Sequence, residues 1–315
     1  MKSSRRKFLR CSALAASALA SSKWKPLLAA REPHLRFPAA SRDRLAVTSW
    51  PFRAYIESPT NRDRDHSKPG MDLKDFAGMV AERFNIHNIN PLAAHFSSTE
   101  PDYIEEFRKS VGKAGSHMVD LGLGGRSFYH PDAAKRREAI DYGKKWIDIA
   151  VLVGSPSVRQ HVNGAPGVKP DVALTAETLG EMAAYGAKKN TAVILENDDP
   201  VGEDPFFLVA VIEKAGNPYL RALPDFANSM APDGDAERNY KGVEEMFRHA
   251  FNMCHVKQGW EDRQGKVHAV DLARLFAIAR NAGYRGYFSM EADTSGDPYA
   301  NTQELAQATL KYLAS

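Results

Sequence analysis

The stretch "AVILENDDP" (192–200) decides the fold. Ala192, Val193, Ile194 and Leu195 form a short, wholly apolar run, and Glu196 follows at once, with Asn197, Asp198 and Asp199 behind it. A strand without a polar residue is buried on both faces, as in a parallel sheet covered by helices. The terminal carboxylate then has two possible settings. Glu196 opens a solvated loop, or it stands at the mouth of a barrel. The ends of the remaining strands discriminate between them.

Seven further short runs share the pattern: 45–49 ("LAVTS"), 86–90 ("IHNIN"), 117–123 ("HMVDLGL"), 157–161 ("SVRQH"), 220–225 ("LRALPD"), 252–257 ("NMCHVK") and 286–291 ("GYFSME"). "SVRQH" is polar, and its place rests on the preceding "GSP", which ends a helix. Amphipathic patterns lie between the runs. "MDLKDFAGMVAERF" (71–84) carries Leu73, Phe76, Val80 and Phe84 on one face behind a capping Asp72. "AKRREAIDYGKKWIDIAVLVG" (134–154) closes on Gly154, and "DLARLFAIARNAG" (271–283) on Gly283. "TAETLGEMAAYGAKKN" (175–190) is expected to start at Thr175, although Thr178 stands where a capping box wants Glu or Gln. "TQELAQATLKYLA" (302–314) ends the chain.

Strand–helix units repeated eight times require parallel strands, because each return needs a crossover. Roughly 270 residues suit an α/β fold of the (β/α)8 TIM-barrel type, which typically takes about 250. The expected division is 1–40 as export signal and linker and 41–315 as the barrel. A doubly wound open sheet is the alternative. Against it, no glycine-rich fingerprint follows the first strand, and "GLGGRS" (122–127) follows the third and lacks the required spacing.

The chain has 315 residues and a net charge of +3, with Lys and Arg dispersed among Asp and Glu. That argues against a nucleic-acid partner. No apolar run is long enough to span a membrane. At the start, "SRRKFLR" (4–10) precedes the mild apolar "CSALAASALASS". Arg5 and Arg6 followed by Phe8 and Leu9 have the form of a twin-arginine export signal, with "ALA" (18–20) or "LLAA" (27–30) as cleavage sites. The expected location is therefore the periplasm, reached through the twin-arginine export machinery. Cys11 lacks small residues before it, which argues against a lipoprotein anchor, and the exported chain keeps only Cys254, so no internal disulfide forms.

In a barrel the site lies at the C-terminal ends of the strands. The fifth to eighth strands end on Glu196, Asp225, His255 and Glu291. Each residue alone says little, since a strand-end carboxylate is usually solvated. Four at corresponding places form a donor set of three carboxylates and one imidazole. That set suits one divalent metal: Mn2+, Mg2+ or Co2+ first, with Zn2+ and Fe2+ as further candidates. Further residues near the mouth are Trp50 in "SWPFR", His95 in "PLAAHF", Arg159 and His161 in "VRQH", and Trp260 in "KQGWED". Trp50 offers a stacking face for a sugar or packs the rim. His95, Arg159 and His161 offer contacts to hydroxyls, and Trp260 a cover over the mouth. The polar "IESPTNRDRDHSKPG" (56–70) after the first strand reads either as a lid or as disordered chain.

The order "LEN", "PDFAN", "CHVK", "SMEAD" resembles the xylose-isomerase-like TIM-barrel family, which includes sugar isomerases, tagatose/psicose-type 3-epimerases, inosose dehydratase and endonuclease IV. The resemblance extends from about residue 45 to the C-terminus. It implies that Glu196, Asp225, His255 and Glu291 hold one divalent metal. It also implies that Glu196 and Glu291 act as acid and base on an enediolate stabilised by that metal, and that the substrate is a small carbohydrate. Lys257 is placed to stabilise an oxyanion or to form a rim salt bridge. The sequence departs from the family at Gln258, where an acid is usual, and at Asn228 and Asp198, where the epimerases often carry histidines; Asn90 stands where relatives often have a strand-end glutamate. Asn228 is accordingly a candidate substrate contact rather than a histidine equivalent.

The leading expectation is an exported, metal-dependent sugar isomerase or epimerase acting on unphosphorylated sugars. Alternatives are a lyase or dehydratase using the same enolate on a keto-sugar or 3-keto-glycoside, and a non-catalytic carbohydrate-binding barrel. A nuclease is set aside, because that chemistry needs several metals and more histidines. The oligomeric state is open.

Overall fold

The protein is described from a computed structural model, covering residues 32–165, 167–230 and 234–314. The apolar strand that ends on Glu196 shows how the wall is built. In this strand, β6 (Ala192–Glu196), Val193 and Leu195 join the large apolar core. Ala192 and Ile194 join a separate small cluster with Ala46, Val119, Leu223 and Met253. Successive side chains of a strand point to opposite faces. Residues from strands so far apart in the chain meet in one cluster only inside a closed barrel. Val193 and Leu195 therefore face the helices, and Ala192 and Ile194 face the interior.

The elements run β1 (Leu45–Thr48), α1 (Leu73–Phe84), β2 (Asn88–Asn90), α2 (Pro101–Lys113), β3 (His117–Met118), β4 (Leu121–Arg126), α3 (Ala133–Val153), β5 (Ser157–Val162) and α4 (Val172–Ala187). After β6 come α5 (Pro205–Ala215), β7 (Leu220–Leu223), α6 (Ala236–Arg248), β8 (Met253–Val256), β9 (Gly259–Glu261), β10 (Val267–Ala269), α7 (Leu272–Asn281), β11 (Tyr287–Met290) and α8 (Pro298–Ala314). Two parallel arcs, β3-β2-β1-β11-β8 and β4-β5-β6-β7, make up the wall. Single bridges close them into a ring, Asp225 to His255 and Ala222 to Ala250 on one side and Leu92 to Gly122 on the other. β3 and β4 lie in tandem as one barrel position, interrupted at Val119 and Asp120. Closure rules out the open doubly wound sheet.

Local signals explain most element boundaries. Asp72 caps α1 by accepting from Lys74 N at 2.8 Å, and Gly154 ends α3 in the left-handed conformation at φ 78°. The α4 expectation needs correcting: the helix starts three residues before Thr175, because Asp171 accepts from Leu174 N at 2.9 Å. Thr175 is buried inside it and donates its hydroxyl to Asp171 O at 2.6 Å. The polar "SVRQH" is indeed a strand. Val158 and Val162 face the core, so Ser157, Arg159 and His161 point into the barrel. The β9–β10 antiparallel hairpin within the β8–α7 connection was not legible in sequence.

The loop after β1 is ordered. Asn61 Nδ2 donates to Arg53 O and Ile56 O, both at 2.7 Å, and Arg64 ties Glu57, Ala54 and Lys68 O together. Residues 32–40, assigned in sequence to a linker, pack on the barrel's base. His34 exchanges backbone hydrogen bonds with the Asn190 amide at 3.0 and 3.1 Å. Phe37 sits edge-on to Phe251 and Tyr287, each at 6.0 Å, and these two rings cover the interior apolar cluster. The twin-arginine motif and both cleavage sites lie outside the described residues. Among the described residues no helix is long and apolar enough to cross a membrane.

Phe37→Ala exposes the base of the interior cluster and should destabilise the barrel by about 1–2 kcal/mol. A thermal melt of the variant unchanged from wild type would show that the segment merely lies on the surface.

Candidate metal centre and adjoining cavity

The inward parity of each strand carries through to its C-terminal end. On β6 the inward series is Ala192, Ile194, Glu196; on β8 it is Met253, His255, Lys257; on β5 it is Ser157, Arg159, His161. Asp225 follows Leu223 with the same spacing, and Glu291 follows Ser289. Main-chain bonds fix the heights: His255 N to Pro224 O at 3.0 Å, Phe226 N to His255 O at 3.2 Å, and Glu291 N to Val256 O at 3.1 Å. Four side chains from four adjacent barrel positions thus converge. One ligand atom from each of Glu196, Asp225, His255 and Glu291 lies within 4.8 Å of all the others.

His255 Nδ1 faces all three acids, at 2.5 Å from Glu196 Oε1, 2.8 Å from Glu291 Oε2 and 4.0 Å from Asp225 Oδ2. Its Nε2 lies 3.3 Å from the Asn90 amide, which is itself tied to Ser289 Oγ at 2.6 Å. All four ligand candidates are buried. Burial lowers the pKa of His255, but Glu196 and Glu291 outweigh it and raise it to about 10. Burial likewise pushes Glu196 and Glu291 upward, yet neighbouring cations prevail. Arg159 and His255 hold Glu196 well below the usual carboxylate range, and His255 and Lys257 bring Glu291 to about 2. Asp225 goes the opposite way, raised to about 7 chiefly by burial.

The donors fit a divalent cation. Asp225 Oδ1 accepts from Ala227 N at 2.9 Å and Asn228 N at 2.7 Å, which fixes the carboxylate. Its Oδ2 is buried without any hydrogen-bond partner, facing the cluster. A buried carboxylate oxygen left unpaired is costly. A hard cation held by three carboxylate oxygens and one imidazole nitrogen removes that cost.

A cavity of about 280 Å³ opens over the cluster. Trp50, Leu92, Ala94 and Leu123 form an apolar wall, and Arg159, His161, Asn228 and Lys257 line the polar side with the two glutamates. Lys257 Nζ donates to Asn228 Oδ1 at 2.7 Å and lies 3.5 Å from Glu291 and 3.7 Å from Asp225. Burial acts against its charge, but the surrounding carboxylates raise its pKa well above the usual value. Arg159 pairs with Glu196 and touches His161. A methyl group on Gly122 would lie 2.5 Å from Arg159 Nη2, so "GLGGRS" makes room for a guanidinium rather than for a phosphate.

Two of the candidate substrate contacts do not line this cavity. His95 is buried against Ser49 Oγ at 2.7 Å, and burial lowers its pKa to about 3; it is a neutral packing histidine. Trp260 lies on the β9–β10 hairpin with its ring 5.4 Å from His268. Conversely, sequence reasoning passed over Asp293 and Glu203. Asp293 accepts from Trp50 Nε1 at 3.0 Å and lies 3.7 Å from Lys257 Nζ. Its signal was the continued inward spacing of Ser289, Glu291, Asp293. Glu203 accepts from His161 Nδ1 at 2.8 Å and Val162 N at 2.6 Å, a partnership across 42 residues that no local pattern announces.

Residues 81–315 match the profile of the family described as Xylose isomerase-like TIM barrel. The chain belongs to this family. Comparison with curated protein sequences returns no match. Among solved structures, this xylose isomerase-like barrel is similar to a xylose isomerase-like TIM barrel protein from Mycobacterium smegmatis in complex with magnesium, at 18% identity over 88% of this chain and 98% of that one, with a TM-score of 0.66. A D-psicose 3-epimerase from Clostridium cellulolyticum, solved with D-tagatose, matches at 12% identity over 86% and 98%, TM-score 0.62. A sugar phosphate isomerase/epimerase from Parabacteroides distasonis matches at 13% identity over 85% and 94%, TM-score 0.58. At these identities the likeness is one of fold.

Asp225→Asn keeps the shape and removes one anionic donor. It should weaken divalent-metal binding by more than the roughly 10–100-fold typical of losing an outer partner. Affinity should also rise with pH from 6 to 8, because cation binding displaces the protons held by His255 and Asp225. Isothermal titration with Mn2+ reads both, and a flat pH profile with unchanged Asp225→Asn affinity overturns the assignment.

Proposed function

We propose that this family member is a divalent-metal-dependent isomerase or epimerase of an unphosphorylated sugar. The observation that carries the reading is the cluster of four candidate metal ligands beneath a cavity with one apolar and one polar wall. The metal named in one similar structure and the sugar epimerase identity of another support it. When bound, a divalent cation polarises a carbonyl and its neighbouring hydroxyl and makes the adjacent C–H acidic. The chain's own residues then supply proton transfer. Glu196 and Glu291 are ionised carboxylates that approach the cavity from separate strands, so one takes the proton and the other returns it. Lys257, held by Asn228, presents its ammonium to the oxygen that gains charge. Trp50, pinned by Asp293, offers its ring to an apolar sugar face.

Glu291→Gln keeps the size but lacks a carboxylate base. It should lower turnover by roughly 10²-fold or more. Solvent deuterium incorporation into the sugar, measured beside metal content, tests this; wild-type exchange at full metal occupancy removes Glu291 from the mechanism.

A second reading, a lyase on a keto-sugar or 3-keto-glycoside, has one observation in its favour. His161 is oriented by the buried Glu203 at the cavity wall, a geometry suited to protonating a leaving oxygen. Product mass separates the two, since isomerisation conserves it and elimination does not.

We also propose twin-arginine export, supported by Arg5, Arg6, Phe8 and Leu9 ahead of the mild apolar stretch. Residues 1–40 fused to a folded reporter should deliver it to the periplasm, and replacing both arginines with lysine should stop delivery.

A further inference from the structure

We infer that the substrate carries a second, uncharged sugar ring, seated in an outer cavity that adjoins the one over the metal cluster. The inference rests on the sugar reading above and names the class of sugar. The inner cavity, about 280 Å³, lies at the lower limit of ligand sites and suits a single small ring. The outer cavity is about 820 Å³, and Asp293 lines both. Trp50 lines the inner cavity, Arg53 the outer and Asp293 both, and the three side chains touch one another. Asp293 Oδ1 accepts from Trp50 Nε1 at 3.0 Å, Arg53 stacks over the Trp50 ring at 4.1 Å, and Arg53 lies 3.4 Å from Asp293. Asp293 Oδ2 turns inward to Lys257 at 3.7 Å. One carboxylate thus stands at the junction where a linkage between two rings would pass.

One wall of the outer cavity is preformed: the loop after β1 is held by the Asn61 and Arg64 side chains, which donate to main-chain carbonyls at 2.7 to 3.0 Å, while the segment 292–298 after β11 makes the facing wall. A site that is rigid before binding loses little entropy on binding. Tyr55 supplies an aromatic surface, braced edge-on by Tyr299 at 5.9 Å. The charges select against anions: Arg53 and Lys68 are set against Asp63, Glu261, Asp293 and Asp297. Two cations among four carboxylates repel a phosphate, whereas neutral hydroxyls find acceptors at each acid.

The test is calorimetric titration of the Mg2+-loaded protein with glucose, galactose and mannose, with cellobiose, lactose and mannobiose, and with glucose 6-phosphate. At least one disaccharide should bind roughly tenfold or more tighter than its component monosaccharide. Glucose 6-phosphate should bind no tighter than glucose. Tyr55→Ala, and separately the exposed Asp63→Ala, should remove most of the disaccharide gain while leaving monosaccharide affinity unchanged. Equal affinity for one and two rings, or a gain that survives both substitutions, overturns the inference while leaving the sugar reading in place; preference for the phosphate overturns the inference and the unphosphorylated part of that reading with it. Failure of every probe to bind sinks both.

Discussion

Three carboxylates buried at one barrel mouth are the constraint on which the rest of the structure depends. Glu196, Asp225 and Glu291 bring ligand atoms within 4.8 Å of one another, where ionised acids repel strongly. Three basic side chains answer them: His255 between the acids, Arg159 on Glu196, and Lys257 beside Glu291 and Asp225. Removing one partner from such a buried group leaves an uncompensated charge, typically worth about 3–5 kcal/mol. Asp225 remains the least satisfied of the three, with one oxygen unpartnered. The cluster is compatible with a divalent cation, which would take up that oxygen.

Around the cluster, side chains are held by residues that do not themselves reach it. Asn228 anchors Lys257, Asp293 anchors Trp50, Glu203 anchors His161, and Asn90 meets the outer nitrogen of His255. Each of these bonds links different barrel positions, so the rigidity of the site is that of the closed wall. Pre-oriented groups of this kind act on developing charge without having to reorganise. His95 illustrates the opposite case. Its ring is spent on Ser49 beneath the rim, and burial keeps it neutral.

The low identities to similar structures follow from the same architecture. A closed wall requires alternation of inward and outward side chains, a small or apolar interior layer and helices with one apolar face. Many sequences satisfy those demands. The apolar part of the interior here is Ala46, Val119, Ala192, Ile194, Leu223 and Met253, closed from below by Phe251, Tyr287 and Phe37.

By itself the sequence determined the barrel and its four ligand candidates. Short apolar runs in strands and helix caps such as Asp72 and Gly154 are local signals. Carboxylates that end several consecutive apolar strands are local too, and in a barrel they converge on one mouth. Only the tertiary structure decided which rim residues reach the cavity. His95 and Trp260 carry suggestive side chains, yet one is turned into packing and the other is carried off on a hairpin. Glu203, Asp293 and Phe37 gain their roles from partners 42, 243 and 214 to 250 residues away. Such pairings leave no periodic trace, because the distance between two side chains across a barrel mouth is set by ring closure and strand register rather than by their spacing along the chain.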